Sequence, residues 1–432
     1  MRSRTEEIKV RTEEPVHHGP RSLAGIAIET FALRALTFGI GVGVNVAVSR
    51  TLGPEGRGQY ALAVLGAITL AALAKVGLEH ANVYLLGTAR VAPERLASQN
   101  ALIALGGGLT GAIVLILAPA IMPSVFGDVG VRNLALAAMS IPLLIHIQVA
   151  AGLQNLTGRV TWQFRAALAG GATQLAIVLA LLALGRLDVT SALLANLFVN
   201  VLTWVLLVAG DSNRTLAIRV DLPLLMRTLR YSLVVHIGLV LLFFQTRITL
   251  FLVQALMGTG ALGHYSLAVS VAESVLLASD SLAIALLPRQ TGETIKEAAS
   301  LGMRGARVGA LLVIAAGIPL ATIGSSVITV MFGAEFAPSY PPLLALLPGI
   351  AFLAIQRFCG APALRANRPA RMAAIYGVGV LLNVVLNLLW IPRLGLIGAG
   401  ASTSVSYLAT AILFVRWTRE LARTDPPGMR LR

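Results

Sequence analysis

Charge and cysteine are both scarce in this sequence. Asp, Glu, Lys and Arg make up 12% of its 432 residues, about half of the roughly 25% that is usual in a soluble domain. So few charges cannot cover the surface of a soluble protein of this length. The single cysteine, Cys359, lies within an apolar segment, which excludes an intramolecular disulfide and a cysteine-ligated metal cluster.

Motifs for nucleotide hydrolysis and metal binding are absent as well. The sequence contains no G-x-x-x-x-G-K-S/T loop, which argues against ATP hydrolysis by this chain. His146 and His236 are isolated and lack the spacing of metal ligands, so we expect neither a metal nor an organic cofactor. No short apolar core with a small-residue cleavage site precedes the first long apolar segment, so we expect no cleaved signal peptide.

Long apolar segments take up most of the chain. Hydrophobic residues make up 56% of it, and the mean hydropathy is +0.82. Such segments match the roughly 20 residues that a helix needs to cross a bilayer. Gly, Pro and charged residues divide the sequence into twelve of them, which predicts an all-α polytopic membrane protein. The predicted spans run approximately over 23–49, 59–87, 100–122, 132–152, 164–185, 188–209, 229–256, 262–288, 303–331, 341–364, 371–391 and 396–417.

Basic residues are unevenly distributed among the loops. The formal net charge is +15, but the arginines lie at the ends of apolar segments and form no stripe interleaved with aromatics, so we expect no nucleic-acid partner. Because Lys and Arg stay on the cytoplasmic side, we predict a multi-pass protein with both termini in the cytoplasm. The loops on the other side hold only Arg50, Arg57, Arg132, Arg186 and Arg393.

One sequence motif occurs twice. RTLGPEGRGQYALAV, residues 50–64, is echoed by ALMGTGALGHYSLAV, residues 255–269, and Phe126 matches Phe332 at nearly the same offset. The repeat predicts two six-helix bundles, and an even number of spans gives both the same orientation in the membrane. Two such bundles that rock against each other give alternating access to a central cavity. The repeat pairs Gly53 with Gly258, Gly58 with Gly263, and Tyr60 with Tyr265.

These patterns divide the chain into five parts, and the charged residues concentrate in the tails and the linker. We predict a disordered cytoplasmic tail over 1–21, an N-terminal six-helix bundle over 22–210, a cytoplasmic linker over 211–228, a C-terminal six-helix bundle over 229–417 and a cytoplasmic tail over 418–432.

Three stretches resemble a known transporter family. R-x-L-G-P-E-G-R-G-Q-Y at residues 50–60, A-L-G-H-Y-S-L-A at 261–268 and the segment 381–407 are similar to the polysaccharide-transporter branch of the multidrug/oligosaccharidyl-lipid/polysaccharide (MOP) exporter superfamily, which has a MATE-like fold. This branch includes the O-antigen-type flippases. The resemblance implies a flippase, rather than an enzyme, that moves an undecaprenyl-diphosphate-linked oligosaccharide from the inner to the outer leaflet of a bacterial cytoplasmic membrane. Its product would serve O-antigen, exopolysaccharide or capsule synthesis.

Two other functions stay open on the sequence. Multidrug antiporters of the superfamily also have twelve helices, but they would need acidic groups to bind cationic compounds. A membrane scaffold for glycan assembly would keep the helices and the repeat without transport. For a flippase, we expect membrane lipids and the lipid-linked oligosaccharide as partners, together with a polysaccharide polymerase or glycosyltransferases.

Four basic residues lie inside predicted spans, where an ionisable group is costly and therefore a functional candidate. Arg34 and Arg247 occupy spans one and seven, which the repeat makes equivalent, so they would line the cavity from opposite walls. A guanidinium binds a diphosphate bidentately, and we predict that both arginines bind the substrate, assisted by Arg357. Lys75 is a further candidate, although Glu79 lies one turn away and offers an ion pair instead.

Three acidic residues inside the spans are candidates for ion coupling. Glu273 and Asp280 are seven residues apart on one face of span eight, and Glu29 lies in span one. If a proton or sodium gradient drives transport, one of them carries the coupling ion, because burial favours a protonated carboxyl group near neutral pH. The alternative is that the acidic residues form ion pairs with Arg34 and Arg247.

Overall fold

The computed structural model describes residues 23–87, 91–156, 160–210, 221–292, 294–365 and 368–423. These residues form thirteen α-helices and one 3-10 helix, and no β-strand occurs among them. The helices of the first half are α1 (Leu23–Ala74), α2 (Leu78–Gly87), α3 (Pro93–Ile121), α4 (Pro123–Phe126), α5 (Val131–Leu156), α6 (Val160–Ala183) and α7 (Val189–Ala209). Those of the second half are α8 (Leu222–Met257), α9 (Thr259–Ser274), α10 (Leu276–Gly292), α11 (Ile295–Phe332), the 3-10 helix η1 (Ala334–Ser339), α12 (Tyr340–Arg365) and α13 (Pro369–Arg423).

Two helices are too long for one membrane crossing. At 1.5 Å per residue, helices of 52 and 55 residues are each roughly 80 Å long, more than twice the ~30 Å hydrocarbon core. Each is broken at one glycine with positive φ, Gly53 in α1 (φ 64°) and Gly395 in α13 (φ 58°). A residue with a side chain rarely adopts this backbone conformation. Both helices therefore turn at the glycine and cross twice.

The number of crossings agrees with the sequence prediction. Among the described residues, nine helices are long and apolar enough to cross a membrane, and α9 with α10, bent by 49° at their junction, forms a tenth span. When α1 and α13 are each counted as two crossings, the described chain has the twelve spans that the sequence predicts. The all-α, polytopic fold class is confirmed.

The two halves meet along a seam that joins the two copies of the motif. We call the side of the molecule that holds Gly53 and Gly258 the turn end, and the side where α1 begins and α13 ends the basic end. At the turn end the motif glycines permit backbone contact. A Cβ atom on Gly58 would lie 2.0 Å from the carbonyl oxygen of Thr259, and one on Gly263 would lie 1.9 Å from that of Pro54. Each copy therefore provides the space that the other copy's turn occupies.

The motif tyrosines anchor each copy in its own half. Tyr265 is buried, and its hydroxyl donates to the carbonyl oxygen of Ala399 at 3.4 Å and contacts the Thr403 hydroxyl at 3.2 Å. Tyr60 packs against the apolar cluster that includes Val48 and Val178. The repeated motif thus has one part that packs within each bundle and one part that faces the other bundle.

The seam continues on the other side of the membrane along α8. His236 Nε2 lies 2.9 Å from the Leu73 carbonyl oxygen, and a Cβ atom on Gly77 would lie 3.0 Å from the Ser232 carbonyl oxygen. At the basic end Arg95 pairs with Asp221, the N-cap of α8. The hydrogen bond from the Arg95 side chain, together with one from a backbone N–H of α8, lowers the pKa of Asp221.

The helices extend past two predicted boundaries. The first helix of the second half begins at Leu222 rather than 229, because Asp221 caps it by accepting a hydrogen bond from the Leu224 N–H at 3.1 Å. At the other end, α13 continues to Arg423, six residues into the predicted tail, with Leu421 buried. Hydropathy locates the apolar segment, whereas helical hydrogen bonding continues into the polar zone. The predicted tail over 1–21 and most of the linker, 211–220, lie outside the described residues.

Gly58→Ala is expected to destabilise the protein, because the added methyl group must displace backbone at the seam. Overpacking of this kind costs about 1–3 kcal/mol, which lowers the midpoint of thermal unfolding in detergent. Gly106→Ala is the matched control, since Gly106 is also helical and no neighbouring atom lies within 4 Å of the position that a methyl group would take. Its midpoint should stay unchanged or rise, because alanine favours a helix over glycine. Equal midpoints for the two variants would contradict the close approach at the seam.

Candidate functional site

The clearest ion pair inside the membrane region joins Arg247 on α8 to Glu273 on α9. Nη1 of Arg247 donates to Oε1 of Glu273 at 2.9 Å, and Nη2 donates to Oε2 at 3.1 Å. The two side chains remain 31% and 28% exposed, so the pair is not fully buried. The geometry is the bidentate fork that a guanidinium also forms with a phosphate. In this conformation, the Glu273 carboxylate binds the guanidinium of Arg247, the residue that the sequence predicts to bind the diphosphate.

A second ion pair lies in the same half. Arg357 on α12 pairs with Asp280 on α10. Next to Arg357, the buried Gln356 donates to the carbonyl oxygen of Tyr407 at 2.9 Å, which fixes this part of α12 against α13. Both predicted basic ligands of the second half are therefore neutralised by predicted ion-coupling carboxylates.

The two ion pairs belong to one polar region, which we call the C-bundle cluster: Arg247, Glu273, Asp280 and Arg357. The buried Tyr407 of α13 lies within electrostatic range of Arg247, Glu273 and Arg357. The formal charges of the cluster cancel. An anion that binds here must exchange with a carboxylate rather than enter a cationic pocket.

In the first half, Lys75 forms an ion pair at a helix break. Its Nζ atom lies 3.2 Å from both carboxylate oxygens of Glu79 and 3.1 Å from Oε1 of Gln148 on α5. The backbone between α1 and α2 leaves the helical conformation here, with φ of 50° at Val76 and 68° at Gly77. The ion-pair role that the sequence offered for Lys75 is the arrangement found in the structure.

Arg34 and Glu29 both contact α6. The Arg34 guanidinium lies over the Phe164 ring, 5.9 Å from its centroid, which is a cation–π contact. Glu29 pairs with Arg165, with 2.5 Å between Oε1 and Nη2. Within the described residues, no hydrogen bond or ion pair joins Arg34 or Lys75 to the C-bundle cluster. The structure therefore brings together four of the seven predicted charged residues and leaves the other three in the first bundle.

Two grooves occupy equivalent positions in the repeat. One, of about 320 Å³, lies between α1, α3 and α8 and is lined mainly by apolar residues such as Leu70, Leu115 and Phe251. The other, of about 300 Å³, lies between α1, α9 and α11, and Asn45, Ser270 and Ser274 form part of its wall. Only the second groove thus offers a line of polar side chains.

One buried arginine is not among the residues that the sequence predicts to be functional. The sequence places Arg57 among the few basic residues of the outer loops, yet it is only 4% exposed and bonds across the seam to Ser266. The sequence alone could have drawn attention to Arg57. It precedes the motif glycine Gly58, and the second copy of the motif has Leu262 at the equivalent position. The two copies of the motif therefore differ in charge at the residue beside the glycines that make the close backbone contacts.

The Arg247–Glu273 pair is expected to show coupling in a double-mutant cycle. Removing one partner leaves a half-buried charge without its counter-ion, so Arg247→Ala and Glu273→Ala should each lower the unfolding midpoint. The double variant should lose less stability than the sum of the two, with coupling of about 0.5–3 kcal/mol. The exposed pair Arg371–Glu420 is the control and should couple by at most about 1 kcal/mol. If the double variant loses as much stability as the two single variants together, Arg247 and Glu273 do not form an ion pair in the folded protein.

Comparisons with known proteins agree with this fold. Residues 47–341 match the family model described as "polysaccharide biosynthesis protein", and no curated protein matches the chain. An inward-facing multidrug resistance MATE family transporter of the MOP superfamily is similar over 93% of this chain and 100% of its own, with 14% identity and a TM-score of 0.73. The lipid II flippase MurJ in an inward closed conformation is similar over 93% of this chain and 87% of its own, with 14% identity and a TM-score of 0.69.

An outward-facing MATE family transporter gives a TM-score of 0.64, at 15% identity over 92% of this chain and 96% of its own. At these identities the solved structures establish the fold alone. The family match covers more than half of the chain and includes both copies of the repeated motif. The chain therefore belongs to the family of polysaccharide biosynthesis proteins and has the fold of MATE transporters of the MOP superfamily and of the flippase MurJ.

Proposed function

We propose that this protein is a flippase that moves an undecaprenyl-diphosphate-linked oligosaccharide from the inner to the outer leaflet of a bacterial cytoplasmic membrane. The product would supply the synthesis of a cell-surface polysaccharide. The observation that carries the proposal is the partly exposed bidentate pair of Arg247 and Glu273 in a member of a polysaccharide biosynthesis family. A diphosphate presents pairs of oxygen atoms that accept the same two parallel hydrogen bonds that Arg247 donates to the Glu273 carboxylate.

Substrate binding, in this proposal, is an exchange of anions. The diphosphate replaces Glu273 on Arg247, and the same exchange is open at Arg357, whose partner is Asp280. Arg34 contributes from the first bundle, because a cation–π contact with Phe164 leaves its N–H donors available. Exchange conserves the number of ion pairs, so binding does not require an empty cationic pocket inside the membrane. Lys75, held by Glu79 and Gln148, assists from the first bundle.

Movement between leaflets follows from the two-bundle architecture. The copies of the motif close the seam at the turn end, and the fold has the higher TM-score with the inward-facing MATE transporter. Arg95 and Asp221 bridge the halves at the basic end, so in the proposal this pair opens to admit substrate from the basic end, which we place in the cytoplasm. Rocking of the bundles about the seam would then open the turn end to the outer leaflet.

Ion coupling is the second part of the proposal. The displaced carboxylates, Glu273 and Asp280, are freed when the diphosphate takes their arginines, and each is then able to bind a proton or sodium ion. Glu29 is the third candidate, and its pair with Arg165 must open before it binds an ion. The charge-balanced C-bundle cluster does not favour a cationic compound, so a multidrug antiporter is less well supported.

Reconstituted transport tests the proposal directly. Proteoliposomes should move a labelled polyprenyl-diphosphate oligosaccharide between leaflets, faster with an imposed proton or sodium gradient. Arg247→Ala removes charge-assisted hydrogen bonds worth about 1.5–3 kcal/mol, so its rate should fall roughly 10- to 100-fold. Arg34→Ala should reduce the rate as well. Arg247→Lys keeps the charge but loses the fork, and should fall between Arg247→Ala and the unmodified protein.

Arg419→Ala is the matched control for these variants, because Arg419 is exposed beyond the last apolar segment. It removes the same charge and should leave the rate unchanged. Full activity of a folded double variant, Arg34→Ala with Arg247→Ala, would refute the assignment of the binding residues. Efflux of cationic drugs in place of glycan movement would identify an antiporter, and inactivity in both assays would favour a scaffold.

A further inference from the structure

Arg57 is a buried cation that spans the seam. It is 4% exposed, and its guanidinium bonds to four side chains, two from each bundle. Nε donates to the Ser266 hydroxyl at 3.3 Å and Nη2 to the Ser270 hydroxyl at 3.5 Å, both in the second bundle. Nη1 donates to Oδ1 of Asn45 at 3.3 Å and to the Ser49 hydroxyl, both in the first bundle.

The partners of Arg57 are all neutral, and three of them are oriented by the backbone. Ser49, Ser266 and Ser270 each donate their own proton to a carbonyl oxygen of the preceding turn, at 2.6, 3.0 and 2.8 Å. Their lone pairs are thereby left for the guanidinium. The site accepts hydrogen bonds from four of the five N–H donors of Arg57 but supplies no negative charge.

This lack of a counter-ion separates Arg57 from three of the other basic groups inside the spans. Lys75, Arg247 and Arg357 each lie beside a carboxylate. In the part of the chain that the structure describes, Arg57 forms no ion pair. An unpaired buried charge is costly, because neutral hydrogen bonds replace only part of its hydration.

Closure of the seam does not require a cation at this position. The second copy of the motif has Leu262 in place of Arg57, and that leucine is fully buried in the apolar core. A hydrophobic residue therefore packs well at the equivalent point of the same motif. The arginine must be explained by something other than packing.

The surroundings of Arg57 show where an anion would approach. Asn45 and Ser270, which bond to Arg57, also line the groove of about 300 Å³ between α1, α9 and α11. If the turn end opens as the proposed function requires, Ser266 and Ser270 move away with the second bundle. The guanidinium would then lose two of its four acceptors and face the space between the bundles.

We propose that Arg57 is a phosphate-binding site of the open turn end, covered by the serines of the other bundle when the seam closes. A phosphate supplies the negative charge that the closed site lacks and binds the guanidinium fork bidentately. The identification of that phosphate with the diphosphate of the transported lipid rests on the proposed function. The phosphate of a membrane lipid headgroup has the same chemistry and is the other source.

The test measures opening of the seam rather than transport. Thr259 is 3% exposed at the seam, so Thr259→Cys, in a Cys359→Ala background, reacts with a water-soluble thiol reagent only when the turn end opens. A ligand that binds the open state increases its population. Inorganic pyrophosphate should therefore raise the labelling rate at least threefold over sodium chloride of equal ionic strength.

Three variants make the result specific to the guanidinium. Arg57→Leu, which copies the second motif, should abolish the increase, and Arg57→Lys should retain a smaller one. Arg50→Leu is the matched control, since it removes the same charge from an exposed position in the same motif, and it should respond like the unmodified protein. The same pyrophosphate effect in Arg57→Leu, or none in the unmodified protein, would overturn the proposal.

Two further arms distinguish the phosphate sources and the function. An Arg57-dependent increase in phosphatidylglycerol bilayers alone would identify the lipid headgroup as the ligand. In bilayers without phosphatidylglycerol, an Arg57-dependent increase on addition of the polyprenyl-diphosphate oligosaccharide, beside the increase with pyrophosphate, would identify the substrate. A positive labelling result without transport refutes the flippase and keeps the anion site. Normal transport by Arg57→Leu, with no labelling response in the unmodified protein, refutes the site and keeps the flippase.

Discussion

The close approach of two backbones at the turn end is the constraint on which the rest of the structure depends. Gly58 and Gly263 each leave room for a carbonyl oxygen of the other motif. This contact holds α1 against α9, so that Arg57 lies among the serines of the other bundle. A side chain at either glycine would prevent this contact, so the two turns fit closely only because both positions are glycine.

The charges inside the membrane region are stabilised in two different ways. Lys75, Arg247 and Arg357 are each paired with a carboxylate in their own bundle. At the seam, Arg57 is held by neutral groups from both bundles. In the proposed transport cycle, an intrabundle pair survives rocking of the bundles and opens only when another anion competes. A site shared between bundles would be rebuilt at every cycle. The first arrangement suits recognition of an anion, and the second suits a response to which end is open.

The sequence predicted the spans and the two-bundle plan because both depend on local signals. Hydropathy marks a span within about 20 residues, and the repeat is visible by direct alignment of residues 50–64 with 255–269. The ion partners were only partly predictable. Glu273 lies 26 residues from Arg247 on the adjoining helix, and this pairing was one of the sequence alternatives. Arg57 and Ser266 are 209 residues apart, and nothing local shows that an arginine in a turn becomes buried between two bundles.

The most direct test of the account is a distance measurement across the turn end. Spin labels at Glu55 and Glu335, both exposed and in opposite bundles, would be followed by pulsed electron–electron double resonance in bilayers, in a Cys359→Ala background. The account predicts one short distance in the closed state and a second, longer distance when a polyprenyl-diphosphate oligosaccharide is added. The same oligosaccharide on a polyprenyl chain without the diphosphate should not produce it. A single distance that neither compound changes would contradict a flippase driven by rocking of the two bundles.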